Sequence, residues 1–146
     1  MIEIFYKKDG QMMVSQSEAS LTEISYDSVV WIDLFSPSGE EKRTVETYLG
    51  TTIQNRAQAE EIEISSRFSE TEQAIFANTS FLIPGPEEYG EETVSFILKD
   101  NILTTLRESP LKSFTDLQRR LMAFPKMYES GHIAFLSILE QRIDLD

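Results

Sequence analysis

The sequence predicts a single α/β domain, and two observations favour this fold class. Short runs that alternate polar and apolar residues, typical of β-strands, occupy much of the chain before residue 107. Segments with apolar residues three and four positions apart, typical of amphipathic helices, follow residue 36 and residue 112. With 146 residues, 40% of them hydrophobic, and no cysteine, the chain can bury a core without disulfides or a structural metal.

The first part of the chain begins with a predicted β-hairpin. Residues 2–7 alternate like a strand, residues 9–10 are an Asp-Gly pair typical of a two-residue turn, and residues 11–14 form the return strand. Residues 29–35 are apolar on both faces except at Asp33, a pattern typical of a central strand. We expect Asp33 to be a buried acid with satisfied hydrogen bonds, or a cap at the end of the strand, rather than a ligand.

A helix is predicted after this strand. Ser38 and Glu41 have the spacing of a capping box, acidic residues favour the positive end of the helix, and Gly50 ends it. A second, short helix is predicted to begin near Asn55 and to carry an acidic cluster at residues 60–63.

The middle of the chain returns to strand patterns. Residues 84–92 combine proline, glycine and a run of acids, which predicts a loop with a solvated tip. Residues 99–101 form the turn of a hairpin. The predicted strands cover residues 67–70, 73–83, 93–98 and 102–106.

The last forty residues are predicted to be helical. Ser113 is expected to cap a helix together with Asp116, and Pro125 ends or breaks that helix. Another helix begins after Gly131, and its apolar residues cover more than half of its circumference. Because no glycine or proline follows and the chain ends on acids, we expect residue 146 to interrupt a longer helix.

The net charge of −12, from 13 basic and 25 acidic residues, narrows the classes of partner. So acidic a domain repels phosphate backbones and anionic lipid surfaces, which argues against nucleic-acid binding and makes cations the natural counterpart. Phosphate-binding glycine loops and the serine turn of hydrolases are absent, and we interpret the single histidine, His132, as a structural or surface residue. The sequence therefore predicts that the chain is not an enzyme.

The densest group of carboxylates consists of Glu60, Glu61 and Glu63. On a helix, Glu60 and Glu63 share one face while Glu61 points elsewhere. Carboxylate oxygens suit hard cations such as Mg²⁺ or Ca²⁺. A solvated helix face is the alternative that these residues leave open.

The order of motifs along the chain resembles that of the CorA-type magnesium/cobalt transporters. Residues 60–68, EEIEISSRF, are similar to the family element EDIEASARF, and residues 93–108, TVSFILKDNILTTLRE, are similar to the hairpin TVAFTIRDGRLFTLRE. Residues 31–34, WIDL, match the strand before the first helix of the family, and residues 48–50, YLG, match the end of that helix. The resemblance covers about residues 28–146.

The resemblance implies a mixed β-sheet between helix layers, an αβα sandwich that ends in the start of a helical stalk. Residues 1–124 would form the α/β domain, and residues 125–146 would begin the stalk. In the family, this domain faces the cytoplasm, and the stalk continues into two transmembrane helices, with a Gly-Met-Asn motif at the pore. The whole protein is a pentamer in the cell (inner) membrane, so we expect this chain to meet the membrane only through C-terminal helices that it lacks.

The resemblance also implies a regulatory role for the acidic cluster. Family members bind a regulatory Mg²⁺ through an acid of this element, and the matching residue is Glu61, with Glu60 before it. The family often has Asp there, and the partner carboxylate comes from the stalk of a neighbouring subunit. We therefore expect a weak Mg²⁺ site that needs a second protomer of a homo-oligomer.

The predicted function is the cytoplasmic, metal-sensing domain of a CorA-like channel for divalent cations, Mg²⁺ or Co²⁺. The alternative is a stand-alone α/β binding module with an acidic, cation-responsive surface. A hydrolase that uses clustered carboxylates is the weakest hypothesis, because the sequence offers no helper residue for it.

Overall fold

The computed structural model describes residues 1–53, 68–71, 74–83 and 90–145. The strands are β1 (Ile2–Lys8), β2 (Gln11–Ser15), β3 (Val29–Phe35), β4 (Phe68–Thr71), β5 (Ala74–Ile83), β6 (Gly90–Lys99) and β7 (Ile102–Arg107). The helices within these ranges are α1 (Gly39–Leu49), α2 (Lys112–Ala123) and α3 (Gly131–Leu145). Short 3-10 helices lie at Glu18–Thr22, Tyr26–Ser28 and Pro125–Met127.

The strands form one seven-stranded sheet in the order β2-β1-β3-β7-β6-β5-β4. The central pair, β3 and β7, is parallel, with Trp31 opposite Leu103, and the other described pairs are antiparallel. In β3, Val30 is the extra residue of a β-bulge, because Val29 and Trp31 face consecutive residues of β1. The sheet is therefore mixed, as expected, and β3 is a central strand.

Helices cover both faces of this sheet. On one face, Val45 and Leu49 of α1 pack in a cluster with Ile32 of β3. On the other face, Phe114 of α2 packs edge-on against Trp31, with their ring centroids 5.7 Å apart. Further buried residues of α2 and α3 in this second cluster are Leu117, Leu121, Ala134 and Ile138. The two helix layers confirm the predicted α/β fold class.

Two tight turns follow directly from residue type. Asp9 and Gly10, in the turn between β1 and β2, have φ angles of 53° and 77°. Asp100 and Asn101, in the turn between β6 and β7, have φ angles of 52° and 69°. Two consecutive residues in the left-handed region match the twist of a hairpin, and Asp, Asn and Gly tolerate that region best.

Both ends of α1 are capped as predicted. The Ser38 Oγ accepts a hydrogen bond from the Glu41 N–H at 3.1 Å, and the Glu41 carboxylate accepts one from the Ser38 N–H at 2.9 Å. The hydrogen bond from the Ser38 backbone is the main reason that the pKa of Glu41 is lowered. At the other end, Gly50 adopts a φ of 71° and ends the helix.

Helix α2 begins earlier than predicted, and Ser113 does not cap it. The N-cap is Leu111, which makes no side-chain capping bond, and Ser113 is buried in the first turn. The capping prediction was wrong because Leu111 is a member of the core, and its burial places the start of the helix at Lys112. Tertiary packing here overrides the local capping preference.

Part of the predicted loop at residues 84–92 is strand. β6 begins at Gly90, opposite Ile83, and Glu92 is only 2% exposed. The prediction of a solvated acidic tip is therefore wrong for Glu92, because pairing with β5 continues past the acidic residues at the start of β6. Residues 84–89 lie outside the described residues.

Helix α3 begins where Gly131 contacts the turn between β6 and β7. The Gly131 N–H donates to the Asn101 carbonyl oxygen at 2.6 Å. A β-carbon at this position would lie 2.1 Å from the backbone nitrogen of Leu103, so only glycine fits without a backbone shift. Helix α2 ends before Pro125, as predicted. The division of the chain at residue 125 into domain and stalk stays a prediction.

A Gly131→Ala substitution is expected to lower the free energy of unfolding by about 2–3 kcal/mol, because the new methyl group would overlap backbone atoms. Urea denaturation measures the change. Gly39→Ala is the matched control, since a β-carbon there meets only the Arg43 side chain at 3.4 Å. That control should leave stability unchanged or raise it by up to about 1 kcal/mol. Equal effects of the two substitutions would contradict the close contact at Gly131.

Candidate functional site

The predicted Mg²⁺ ligands, Glu60 and Glu61, lie outside the described residues, as do Glu63 and the predicted short helix near Asn55. Within the described ranges, no group of three or more His, Asp or Glu residues is placed to hold a metal ion. A Mg²⁺ site at Glu60 and Glu61 therefore stays a prediction.

The chain on the N-terminal side of the acidic cluster is held firmly. Ile53 is 1% exposed, and its N–H donates to the Glu46 carboxylate at 2.8 Å. The Lys99 ammonium donates to the Leu49 carbonyl oxygen at 2.6 Å, where it also opposes the negative end of α1. The α1 C-terminus and residues 51–53 are thus tied to the hairpin of β6 and β7.

The chain on the C-terminal side of the acidic cluster enters the edge of the sheet. Phe68, the first residue of β4, pairs with Ala77 of β5, and β4 is the outermost strand. The described residues that flank the acidic cluster, Ile53 and Phe68, therefore both belong to the domain, while residues 54–67 lie outside the described residues.

The parallel strands β3 and β7 place a buried ion pair at their carboxyl ends. The Arg107 Nη2 donates to the Asp33 Oδ2 at 2.8 Å, and Nε lies 3.2 Å from each carboxylate oxygen. Asp33 is 1% exposed and Arg107 is 6% exposed. Such a forked, charge-assisted pair offsets the desolvation of both groups only because its geometry is nearly complete.

Neighbouring side chains complete this polar network. The Thr105 hydroxyl donates to Asp33 at 2.8 Å and accepts from the Trp31 ring N–H at 3.0 Å. The Arg107 guanidinium lies over the rings of Phe35 and Phe114, 4.5 Å and 4.9 Å from their centroids. Asp33 is therefore a satisfied buried acid, as predicted, and it is not free to act as a ligand.

The pairing of Arg107 with Asp33 was not predicted from the sequence. The sequence does contain a signal for this pair. Arg107 ends one apolar strand and Asp33 lies within another, and two opposite charges in apolar strands are expected to pair. The two residues are 74 positions apart, and only the parallel pairing of β3 and β7 brings them together.

Glu92 is a second buried acid that the sequence analysis missed. Its Oε1 accepts a hydrogen bond from the Glu108 N–H, while Oε2 has no hydrogen-bond partner among the described residues. Burial raises the pKa of Glu92, although backbone N–H groups of Glu108 and Ser109 and the charge of Arg107 act in the opposite direction.

His132 is exposed at the start of α3, which agrees with its interpretation as a surface residue. In the described parts of the chain, no helix has both the length and the apolar character needed to cross a membrane.

Comparison with known proteins identifies the family to which the chain belongs. A family model described as "CorA-like Mg2+ transporter protein" matches residues 26–144. The chain therefore belongs to the CorA-like Mg²⁺ transporter family. This membership confirms the predicted family and the expectation that the chain is not an enzyme.

One curated relative matches the chain along its whole length. The magnesium transport protein CorA of Wolinella succinogenes is 31% identical over 151 aligned residues, which cover 100% of this chain and 47% of the relative. The chain thus spans about half the length of that relative.

Two solved structures share the fold. The CorA magnesium transporter of Methanocaldococcus jannaschii matches 97% of this chain and 44% of its own, with a TM-score of 0.71 and 14% identity. The soluble domain of the same CorA matches 96% of this chain and 54% of its own, with a TM-score of 0.68 and 16% identity. At these identities the likeness establishes the fold, and it confirms the predicted CorA soluble-domain architecture.

An Arg107→Met substitution is expected to lower the free energy of unfolding by about 3–5 kcal/mol, because it leaves the Asp33 carboxylate buried without a counter-charge. Chemical denaturation measures the loss. Arg119→Met is the matched control, because the Arg119 side chain is 78% exposed and its ion pair is long, at 3.9 Å. It should change stability by less than about 0.5 kcal/mol.

A double variant separates the ion pair from simple packing. Asp33→Leu combined with Arg107→Met removes both buried charges and should recover part of the stability that Arg107→Met loses. If the stability loss of the double variant equals the sum of the losses of Asp33→Leu and Arg107→Met, the two groups are not coupled.

Proposed function

We propose that this chain is the cytoplasmic, metal-sensing domain of a CorA-like channel that carries Mg²⁺, with Co²⁺ as a second cargo. The observation that supports this most strongly is the family match over residues 26–144, which runs through both helix layers and strands β3 to β7 of the sheet. The curated relative from Wolinella succinogenes is named a magnesium transport protein. In this proposal, the pore belongs to a part of the protein outside these 146 residues.

The proposed sensor consists of Glu61, with Glu60 beside it, and a carboxylate of a neighbouring subunit. The channel is a homo-oligomer, a pentamer by the resemblance of its motifs. Mg²⁺ bridges acidic groups that would otherwise repel each other and so favours the closed channel. The ion shifts the equilibrium only by its tighter binding to the closed state.

The net charge of −12 supplies the opposing force in this mechanism. When the Mg²⁺ concentration falls, the bridge is lost and repulsion between acidic domains favours opening. The described residues that flank the acidic segment, Ile53 and Phe68, contact α1 and the edge of the sheet, so Glu61 lies in sequence between two points that are attached to the domain.

A Glu61→Gln substitution in the full-length protein is expected to make Mg²⁺ uptake less sensitive to inhibition by Mg²⁺ on the side of the membrane that this domain faces. The half-maximal inhibitory Mg²⁺ concentration should rise several-fold, because the bridge loses one of its charged ligands. Proteoliposomes with a trapped Mg²⁺-sensitive dye measure this.

Glu40→Gln is the matched control for that experiment, because it removes one exposed acid from α1 without touching the acidic cluster. It should leave inhibition unchanged. If Glu61→Gln also leaves inhibition unchanged while uptake persists, the sensor role of Glu61 is wrong. If no uptake occurs with the unsubstituted protein, the transport proposal itself fails.

The isolated 146-residue chain is expected to bind Mg²⁺ only weakly, in the millimolar range, because half of the proposed ligand set is absent. Its thermal midpoint should be nearly the same in Mg²⁺ at about 1 mM and in a chelator, since an ion that does not exceed its dissociation constant adds little stability. Calorimetric titration and thermal unfolding measure the two effects. Micromolar binding by the monomer would favour the stand-alone binding module.

A further inference from the structure

Glu92 is a buried carboxyl group that neither the ion pair nor the proposed metal switch uses. It lies near the start of β6 and is 2% exposed. Its Oε1 accepts the Glu108 N–H, and its Oε2 is buried without a hydrogen-bond partner among the described residues. Burying an ionised carboxylate with one unsatisfied oxygen is costly, so this geometry favours a proton on Glu92.

The charged groups that face Glu92 do not compensate for this burial. Arg107 is near enough to favour ionisation, but its Nε and Nη2 donate to Asp33, which already carries the opposite charge, and its Nη1 donates to the Ser109 carbonyl oxygen. Glu108, on the chain that follows β7, opposes ionisation by its own charge. An ionised Glu92 would thus be a second buried negative charge beside a single guanidinium that is already paired.

The same side chains hold the connection between β7 and α2, residues 108–111. Glu92 accepts the N–H at the start of this connection, and the Arg107 Nη1 donates to the Ser109 carbonyl oxygen at 2.9 Å. Leu111, at its end, is buried in the core and is the N-cap of α2. The position of residues 108–111 against the sheet therefore determines where α2 begins.

We propose that Glu92 and residues 108–111 form a proton-linked latch between the sheet and helix α2. With a proton on Glu92, the carboxyl group stays buried, its Oε1 holds the Glu108 N–H, and the latch is closed. Without the proton, the connection opens so that the charged carboxylate reaches water. The latch thus couples proton concentration to the attachment of α2, independently of any metal.

The direction of the pH effect follows from linkage. The closed latch binds the proton more tightly than the open one, because burial raises the pKa of Glu92 only in the closed state. The full stabilisation is present below the pKa of an exposed glutamate. It is lost as the pH rises, and the opening constant increases by up to about tenfold per pH unit until the pKa of the buried group is passed.

Hydrogen exchange at single backbone amides tests the latch in the 146-residue chain. The opening constants at Glu108 and Ser109, corrected for the intrinsic pH dependence of exchange, are expected to rise with pH and then to level off. Glu92→Gln should abolish this rise, because the amide keeps an accepting oxygen and cannot ionise. Glu40→Gln, which removes an exposed acid from α1, is the matched control and should retain it, because Glu40 lies on an element that is not part of the latch.

If the Glu92→Gln variant does not fold, the proposal can still be tested by titrating the Glu92 carboxyl group in the unsubstituted chain by NMR. The ¹³C chemical shift of the Glu92 carboxyl carbon in the unsubstituted chain should titrate at a higher pH than that of a glutamate in a short unstructured peptide. A pH-independent opening constant at Glu108 and Ser109 overturns the latch. An ordinary pKa at Glu92, or a pH-dependent opening that persists in Glu92→Gln, also overturns it.

Discussion

The buried ion pair between Asp33 and Arg107 is the constraint on which the rest of the fold depends. Both groups are nearly inaccessible to water, so each must find its partner for the chain to fold. They meet only if β3 and β7 lie side by side in parallel, in the register that places Asp33 opposite Thr105. A shift of that register by one residue would move one of the charges to the other face of the sheet. The pair therefore specifies a single arrangement of the two central strands.

The parallel pairing of β3 and β7 restricts where the residues between these two strands can lie. Helix α1, the acidic segment and strands β4 to β6 all lie in sequence between β3 and β7. A parallel pair cannot be joined by a tight turn, so this long insertion extends the sheet on the far side of β7 and covers one of its faces. The hydrogen bond from Lys99 to the C-terminus of α1 joins two parts of this insertion, the end of β6 and the end of α1, and the acidic cluster follows α1 in the sequence.

The charges of this protein fall into two groups with different roles. Asp33, Arg107 and Glu92 lie inside the domain and act on its folding, its specificity and the attachment of α2. Most of the other acids contribute to the net charge of −12, which discourages anionic partners and suits a protein of a cation-transporter family. The proposed Mg²⁺ ligands, Glu60 and Glu61, contribute to this net charge, and their proposed role requires that the ion can reach them.

The sequence by itself determined the local elements whose signals lie within a few residues. The Asp9-Gly10 turn, the Ser38–Glu41 capping box, the end of α1 at Gly50 and the break at Pro125 each follow from short-range chemistry. The order of motifs predicted the family. The dense carboxylates at residues 60–63 indicated a candidate cation site, and the resemblance singled out Glu61, with Glu60 beside it, as ligands; these residues lie outside the described residues. Only the tertiary structure decided that Arg107 pairs with Asp33, that Leu111 rather than Ser113 begins α2, and that Glu92 is buried. Each of these depends on contacts between distant parts of the chain, where burial outweighs local preference.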